Sequence, residues 1–218
     1  MMRKNDFKTF ALILGCTTVF AACNHDDPDT DDDLISAQII ARICEANVKL
    51  FAENEITVTQ TETDYAIWGT TLLFEHKREV NLSTKKSLDV QKVAGAFEEF
   101  RYYDETTHYL YQSGTDMEPE NFISSKISTG YWKYHTRDLP YLSDEMVKTI
   151  GKWKEENGRL VGNNPYAGDI DAYVESKYHV TLSENNKYLK LELKSATGES
   201  LAVYEYSYTA NPAFPAGY

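Results

Sequence analysis

Three cysteines, five histidines and a surplus of carboxylates are the side chains here that could carry chemistry, and their spacing decides what chemistry that would be. Zinc sites use ligands in close pairs such as H-x-x-x-H. His76, His108, His135 and His179 are instead scattered through strand-like segments and read as surface imidazoles, with no metal implied. Asp169 and Asp171 flank Ile170 in a loop rich in Gly, Asn and Pro. Residues two apart in an extended segment point to the same side, the first condition for a pair of acid–base carboxylates or for two oxygen ligands to calcium. Nothing else in the sequence completes such a site, and the pair reads as a solubilising turn. In "DDPDTDDD", Asp27, Asp29, Asp31 and Asp33 alternate as calcium ligands do, but the glycine turn and distal bidentate glutamate of a calcium loop are missing. G-x-S-x-G, a Gly-rich phosphate loop, H-E-x-x-H and a Cys–His nucleophile arrangement are all absent. The expectation is a non-enzymatic chain with no catalytic residue, metal or cofactor.

The cysteines point elsewhere. A cationic start, Arg3, Lys4 and Lys8, precedes an apolar stretch over residues 10–22 that is interrupted only by Gly15, Cys16, Thr17 and Thr18. That is the layout of a secretory signal, and it falls short of the about 20 apolar residues a membrane-spanning helix needs. Phe20-Ala21-Ala22-Cys23 resembles the lipobox of bacterial lipoproteins, with Phe20 standing where Leu is usual. Ile13-Leu14-Gly15-Cys16 fits the same local pattern, but cleavage there would leave only a handful of apolar residues in the signal. The resemblance implies removal of residues 1–22, a diacylglyceryl thioether on Cys23 and a further acyl chain on the new amino terminus. Two or more chains are what stable anchoring requires, so the expected membrane contact is a tether made by acyl chains.

Residues 23–33 then form an acylated cysteine and an acidic tether, because a block of like charges with no apolar residue repels itself and stays solvated. An acidic stretch directly after the lipidated cysteine also resembles the export signal of Bacteroidetes lipoproteins. The implied address is the outer membrane, displayed at the cell surface, with the periplasmic face as the alternative. Loss of residues 1–22 removes three bases and one acid, leaving 33 acidic against 19 basic residues, a formal charge of −14. Nucleic acid is thereby excluded as a partner, and anionic headgroups would repel the chain rather than hold it. Cys16 leaves with the signal and Cys23 is acylated, so Cys44 remains alone and no intramolecular disulfide forms in the mature chain. On the apolar side of a helix, Cys44 reads as core filler. The oligomeric state is not encoded in these features.

Residues 34–218 read as one α+β domain. Asp33 is an N-cap for an amphipathic helix over 34–51, with Ile35, Ile39, Ile43, Ala46 and Leu50 on one stripe and Gln38, Arg42, Glu45 and Lys49 opposite. From Glu55 the period switches to two, predicting short antiparallel strands at 55–61, 66–74, 78–82, 88–93 and 97–102. Two aromatic strands follow, "HYLYQSG" at 108–114 and "GYWKYHTRD" at 130–138. Ser143 caps a second helix over 144–157 with Gly158 as its stop. A loop, "GRLVGNNPYAGDIDAY", leads to strands at 173–182, 188–195 and 201–209, the last two joined by a hairpin-like "ATGES".

This order of elements, with the aromatic pair and the closing strand followed by Asn211-Pro212 and Pro215, resembles the lipoprotein-carrier superfamily that includes LolA and the lipoglycan-binding lipoproteins of mycobacteria. The resemblance implies a curved antiparallel sheet, an open half-barrel, covered on one side by the N-terminal helix and the inserted helix and curled round an apolar cavity. Sixteen tyrosines, nine phenylalanines and three tryptophans exceed what a plain core needs. Tyr109, Tyr111, Trp132 and Tyr134, from the two most aromatic strands, are the expected ligand-binding residues. The expected function is a lipid-anchored binder or carrier of a hydrophobic or acyl-bearing ligand. The alternative is a surface adhesion or glycan- or protein-binding module with an exposed aromatic sheet face.

Overall fold

The computed structural model describes residues 30–67, 70–94, 97–104, 108–114, 117–124, 139–165 and 175–214. Helix α1 spans Thr30–Ala52, so it starts before the predicted cap at Asp33. Asp31, Asp32 and Asp33 lie in its first turn, where carboxylates offset the partial positive charge of the helix N-terminus. Ile39, Ile43, Ala46 and Leu50 are buried as the spacing predicts, whereas Ile35 and Phe51 are exposed. Cys44 is half-buried.

Among the described residues, eleven strands form one antiparallel sheet: β1 Glu55–Ile67, β2 Thr70–Asn81, β3 Lys86–Val93, β4 Phe97–Tyr103, β5 His108–Gly114, β6 Met117–Ser124, β7 Trp153–Glu156, β8 Arg159–Asn163, β9 Lys177–Leu182, β10 Tyr188–Lys194 and β11 Ser200–Ser207. Their spatial order is β6-β5-β4-β3-β2-β1-β11-β10-β9-β8-β7. Two meanders meet where β1 pairs with β11, with Val58 opposite Tyr206 and Gln60 opposite Tyr204. Among the described residues the edges are β6 and β7, and the sheet is open. Helix α2, Asp144–Ile150, precedes β7.

Several strand boundaries depart from the sequence pattern for identifiable reasons. The predicted strand over 66–74 is divided, because Ile67 pairs with Thr70 across a reversal of the chain. The unpredicted β6 contains Pro119, a residue that strands accommodate at a sheet edge because it lacks an N–H for the ladder. The second helix does not reach Asn157. It ends at Ile150, and Gly151 follows with φ 69°. Asn157 and Gly158, at φ 52° and 75°, instead form the turn of the β7–β8 hairpin, since Asn-Gly suits a two-residue loop with both residues at positive φ. The expected loop after residue 158 therefore begins with strand β8. The strand at 130–138, with Trp132, Tyr134 and His135, lies outside the described residues, as do Cys23, Asp169 and Asp171.

Side chains alternate across a sheet, and on one face Ile56, Val58, Val80, Leu160, Val180, Leu191 and Tyr206 form a single core with Ile39, Ile43, Ala46 and Leu50 of α1 and Val147 of α2. Helices α1 and α2 thus contribute to the core on one face of an α+β open sheet. Polar groups inside this core are paired. Asn47 donates to Leu142 O at 2.8 Å and to Asp144 Oδ1 at 2.7 Å, and its own Oδ1 accepts from the Tyr188 hydroxyl at 2.8 Å. Ser36 Oγ donates to Gly151 O at 2.6 Å and accepts from the Trp153 N–H at 2.9 Å, tying α1 to the junction of α2 and β7. The Tyr206 hydroxyl donates to Pro140 O at 2.7 Å, and the Tyr206 ring stacks on Tyr188 at 5.2 Å. Burial pushes both of these phenols well above their ordinary pKa. Among the described residues, the space that the carrier resemblance reserves for a cavity under the helices holds packed aromatics, including the fully buried Tyr188 and the buried Trp153.

Candidate binding groove

Alternation sends Thr59, Thr61, Glu75, Lys77, Leu88, Val90, Phe100, Tyr102, Tyr109 and Tyr111 to the opposite face, away from the helices. The register aligns them, with Val90 opposite Phe100 and Phe100 opposite Tyr111. Leu88, Phe100, Tyr102 and Tyr109 form a second buried cluster, with Val90 and Tyr111 packed against it. Phe100 lies at its centre, its ring stacked on Tyr109 at 5.3 Å and on Tyr111 at 5.4 Å.

The segment after β11 crosses this face. It is fixed at one point by Asn81 Nδ2, which donates to Ala210 O at 3.0 Å. Further on, Phe214 sets its ring edge-on to Tyr109 at 4.7 Å, to Tyr102 at 5.7 Å and to Phe100 at 6.3 Å. Phe214 nevertheless remains 42% exposed. Beside it runs a groove of about 730 Å³ with one apolar wall, Leu88, Val90 and Phe100 with Ala213 and Phe214, and one polar wall, Thr59, Thr61, Glu75 and Lys77. Lys92 and Glu98 also line it and pair with each other at 2.9 Å. The volume lies in the about 300–1,000 Å³ range of small-molecule sites.

Of the four expected ligand-binding residues, Tyr109 and Tyr111 fall in this aromatic cluster. Tyr109 is buried and Tyr111 half-buried, and both support Phe100 from behind the groove's apolar wall. Trp132 and Tyr134 lie outside the described residues. Sequence reasoning did not single out Phe100, Leu88, Val90 or Phe214. The first three carry the period-two signal of their strands. Phe214 sits in "TANPAFPAGY", where no pattern shows that the chain turns back over the sheet.

The helix-bearing face has a different character over β2–β4. There the register places Arg78, Asp89 and Arg101 in one row across three strands, and His76, Gln91 and Glu99 in the next. Asp89 Oδ1 accepts from His76 Nε2 at 2.9 Å and from Gln91 Nε2 at 3.2 Å, while Oδ2 accepts from Arg78 Nε at 2.7 Å. Burial alone would raise the Asp89 pKa, but the His76 hydrogen bond and the Arg78 charge outweigh it and hold the carboxyl well below the usual range. Arg101 Nε donates to the buried Glu99 at 2.6 Å. On the groove-bearing face, over β8–β10, the buried Glu192 is likewise ringed by cations. Lys190 stands at 3.1 Å, Arg159 at 3.8 Å and Lys194 at 3.9 Å, and together they override burial and lower its pKa. Among the described residues no group of three or more His, Cys, Asp or Glu side chains could hold a metal ion, and no helix is long and apolar enough to cross a membrane.

No protein-family model matches this chain, and no curated protein does. Solved structures align with it at low identity. An uncharacterized conserved protein from Thermus thermophilus aligns over 84% of this chain and 96% of its own, at 14% identity and a TM-score of 0.36. The Pseudomonas aeruginosa MucA/MucB complex aligns over 84% of this chain and 59% of the matched chain, at 12% identity and a TM-score of 0.34. A crystal structure of MucB aligns over 84% and 60%, at 14% identity and a TM-score of 0.32. This chain spans about three-fifths of the matched chains in the last two structures. Likeness at this level supplies no argument about what the chain does.

Proposed function

We propose that this chain is a non-enzymatic, lipid-anchored binder of a hydrophobic or acyl-bearing ligand, and that the ligand lies in the groove between the aromatic sheet face and Phe214. The observation that carries the reading is the groove's division into an apolar wall and a polar wall. An acyl chain laid along Leu88, Val90 and Phe100 leaves water at about 0.8 kcal/mol per buried methylene, while its polar end meets Thr59, Thr61, Glu75 and Lys77. Acylation at Cys23 would hold the binder at the outer membrane, where such ligands are found.

The test is organic extraction and native mass spectrometry of protein purified without detergent. Co-purifying lipid, lost from Val90→Asp, is the expected result, because a carboxylate on the apolar wall would have to be desolvated against the chain. Val90 is half-buried, so a circular dichroism spectrum separates loss of ligand from loss of fold. Protein that carries no lipid and takes up none overturns the reading. The same polar wall favours a second reading, a glycan- or protein-binding surface, in which sugar hydroxyls meet the threonines and acids while the ring stacks on Phe214. Lipid-free protein that binds a glycan array through Phe214 would select it.

A further inference from the structure

We infer, taking the groove beside Phe214 as the binding site, that its ligand carries a primary ammonium group at the polar end of the chain and that Glu75 receives it. The charged side chains lining the groove are Glu75, Glu98, Lys77 and Lys92. Both lysines are engaged, Lys77 with Glu79 at 3.2 Å and Lys92 with Glu98 at 2.9 Å. Glu75 is exposed and takes part in no ion pair or hydrogen bond among the described residues.

Lys92 stands directly opposite Glu75 on β3. Opposite charges so placed on two strands ordinarily attract, yet the Lys92 ammonium pairs instead with Glu98, its neighbour on β4. From the other side, Thr61 of β1 faces Glu75. Once the lysines are matched to Glu79 and Glu98, one carboxylate is left over with a threonine hydroxyl beside it. Both groups accept hydrogen bonds from N–H donors, and an ammonium brings three such donors with the compensating charge.

The apolar wall begins one row away. Val90 faces Lys77, which makes Glu75 and Val90 diagonal neighbours at about 7–8 Å. One molecule can therefore set its head on Glu75 and its first methylenes on Val90 and Phe100. Phe214 lines the same groove and is 42% exposed, and an aromatic ring left this open attracts cations over its face. A carboxylate head would meet Glu75 as a like charge, and a hydroxyl would leave it unneutralised. The complement is an amine borne on an alkyl or acyl chain.

The experiment is a calorimetric titration of the full chain at low salt with decylammonium, decanol, decanoate and butylammonium. Decylammonium should bind at least about fivefold more tightly than decanol, decanoate more weakly than either, and the preference should shrink as salt is added. Glu75→Gln should bring decylammonium down to the affinity of decanol and leave decanol unchanged, and Glu75→Lys should shift the preference to decanoate. Equal affinity for decylammonium and decanol, or an unaltered order in both Glu75 variants, would overturn the ammonium assignment while the groove remained a binder of apolar chains. Butylammonium binding as tightly as decylammonium would also overturn it, by reducing it to surface ion pairing. Failure of all four probes to bind would overturn the groove reading and the assignment together.

Discussion

At the scale of single residues, Asp89 joins three partners on two strands, and its ionisation is linked to folding. Its pKa is lowered in the folded state, so the stabilisation it gives is fully present above the unfolded value of about 3.9. That stabilisation is lost as pH falls from there toward the lower folded value. Asp89→Asn should cost about 3 kcal/mol at neutral pH, since it leaves Arg78 buried against a neutral amide. It should also flatten the decline in stability on acidification below pH about 4. Urea denaturation of the two proteins at pH 7 and pH 3 measures both effects, and an unchanged acid slope would remove Asp89 from the account. None of this is legible in the sequence. Alternation shows only that His76 and Arg78 share one side of β2, and it is the register that sets Asp89 and Arg101 beside them. The sequence reading of His76 as a surface imidazole gives way to a side chain that is 16% exposed and bonded to Asp89.

Single elements show both why local signals succeed and where they fail. Ser143 is legible as a cap and its hydroxyl accepts from the Met146 N–H at 3.1 Å, because capping depends on neighbours three residues away. "HYLYQSG" coincides with β5. The segment after Ile150 departs from the expected helix because Trp153 falls on the helical continuation of Met146 and Ile150, while the Asn-Gly pair that makes the hairpin also has the chemistry of a helix stop. Gly162 on β8 completes this corner. A Cβ at that position would stand 2.6 Å from Ile150 Cγ2 and 2.9 Å from the Trp153 ring. Trp153 is itself held by its ring N–H, which donates to Val147 O at 3.0 Å. Gly162→Ala should therefore destabilise the fold by about 1–3 kcal/mol through overpacking, read as a lower thermal midpoint with secondary structure retained at room temperature. A midpoint equal to that of the parent would show that the corner yields freely.

For the molecule as a whole, the helix-plus-antiparallel-sheet composition is legible in the sequence, but not which face carries the groove. Composition cannot separate tyrosines with structural roles from those available to a ligand. Tyr188 and Tyr206 hold the helix side together, while Tyr109 and Tyr111 support Phe100 on the other. The cellular address is a proposal that belongs at this scale, since it concerns a tether and not the sheet. Cells given radiolabelled palmitate should label the parent chain and not Cys23→Ser, and the Ser variant should leave the membrane fraction. Label persisting in the Ser variant would move the attachment to Cys16 or dismiss it.

The seam between β1 and β11 has a consequence for biogenesis. Thr57 and Ser207 are partners although 150 positions separate them, so a ribosome delivers one side of the central ladder long before the other. Until β11 emerges, β1 and β10 each present an unzipped border of amides and carbonyls, the kind of template that recruits foreign chains. Closing a loop of that length is also a slow step in assembly. A protein built this way cannot complete its central ladder until almost the whole of the described chain has been made.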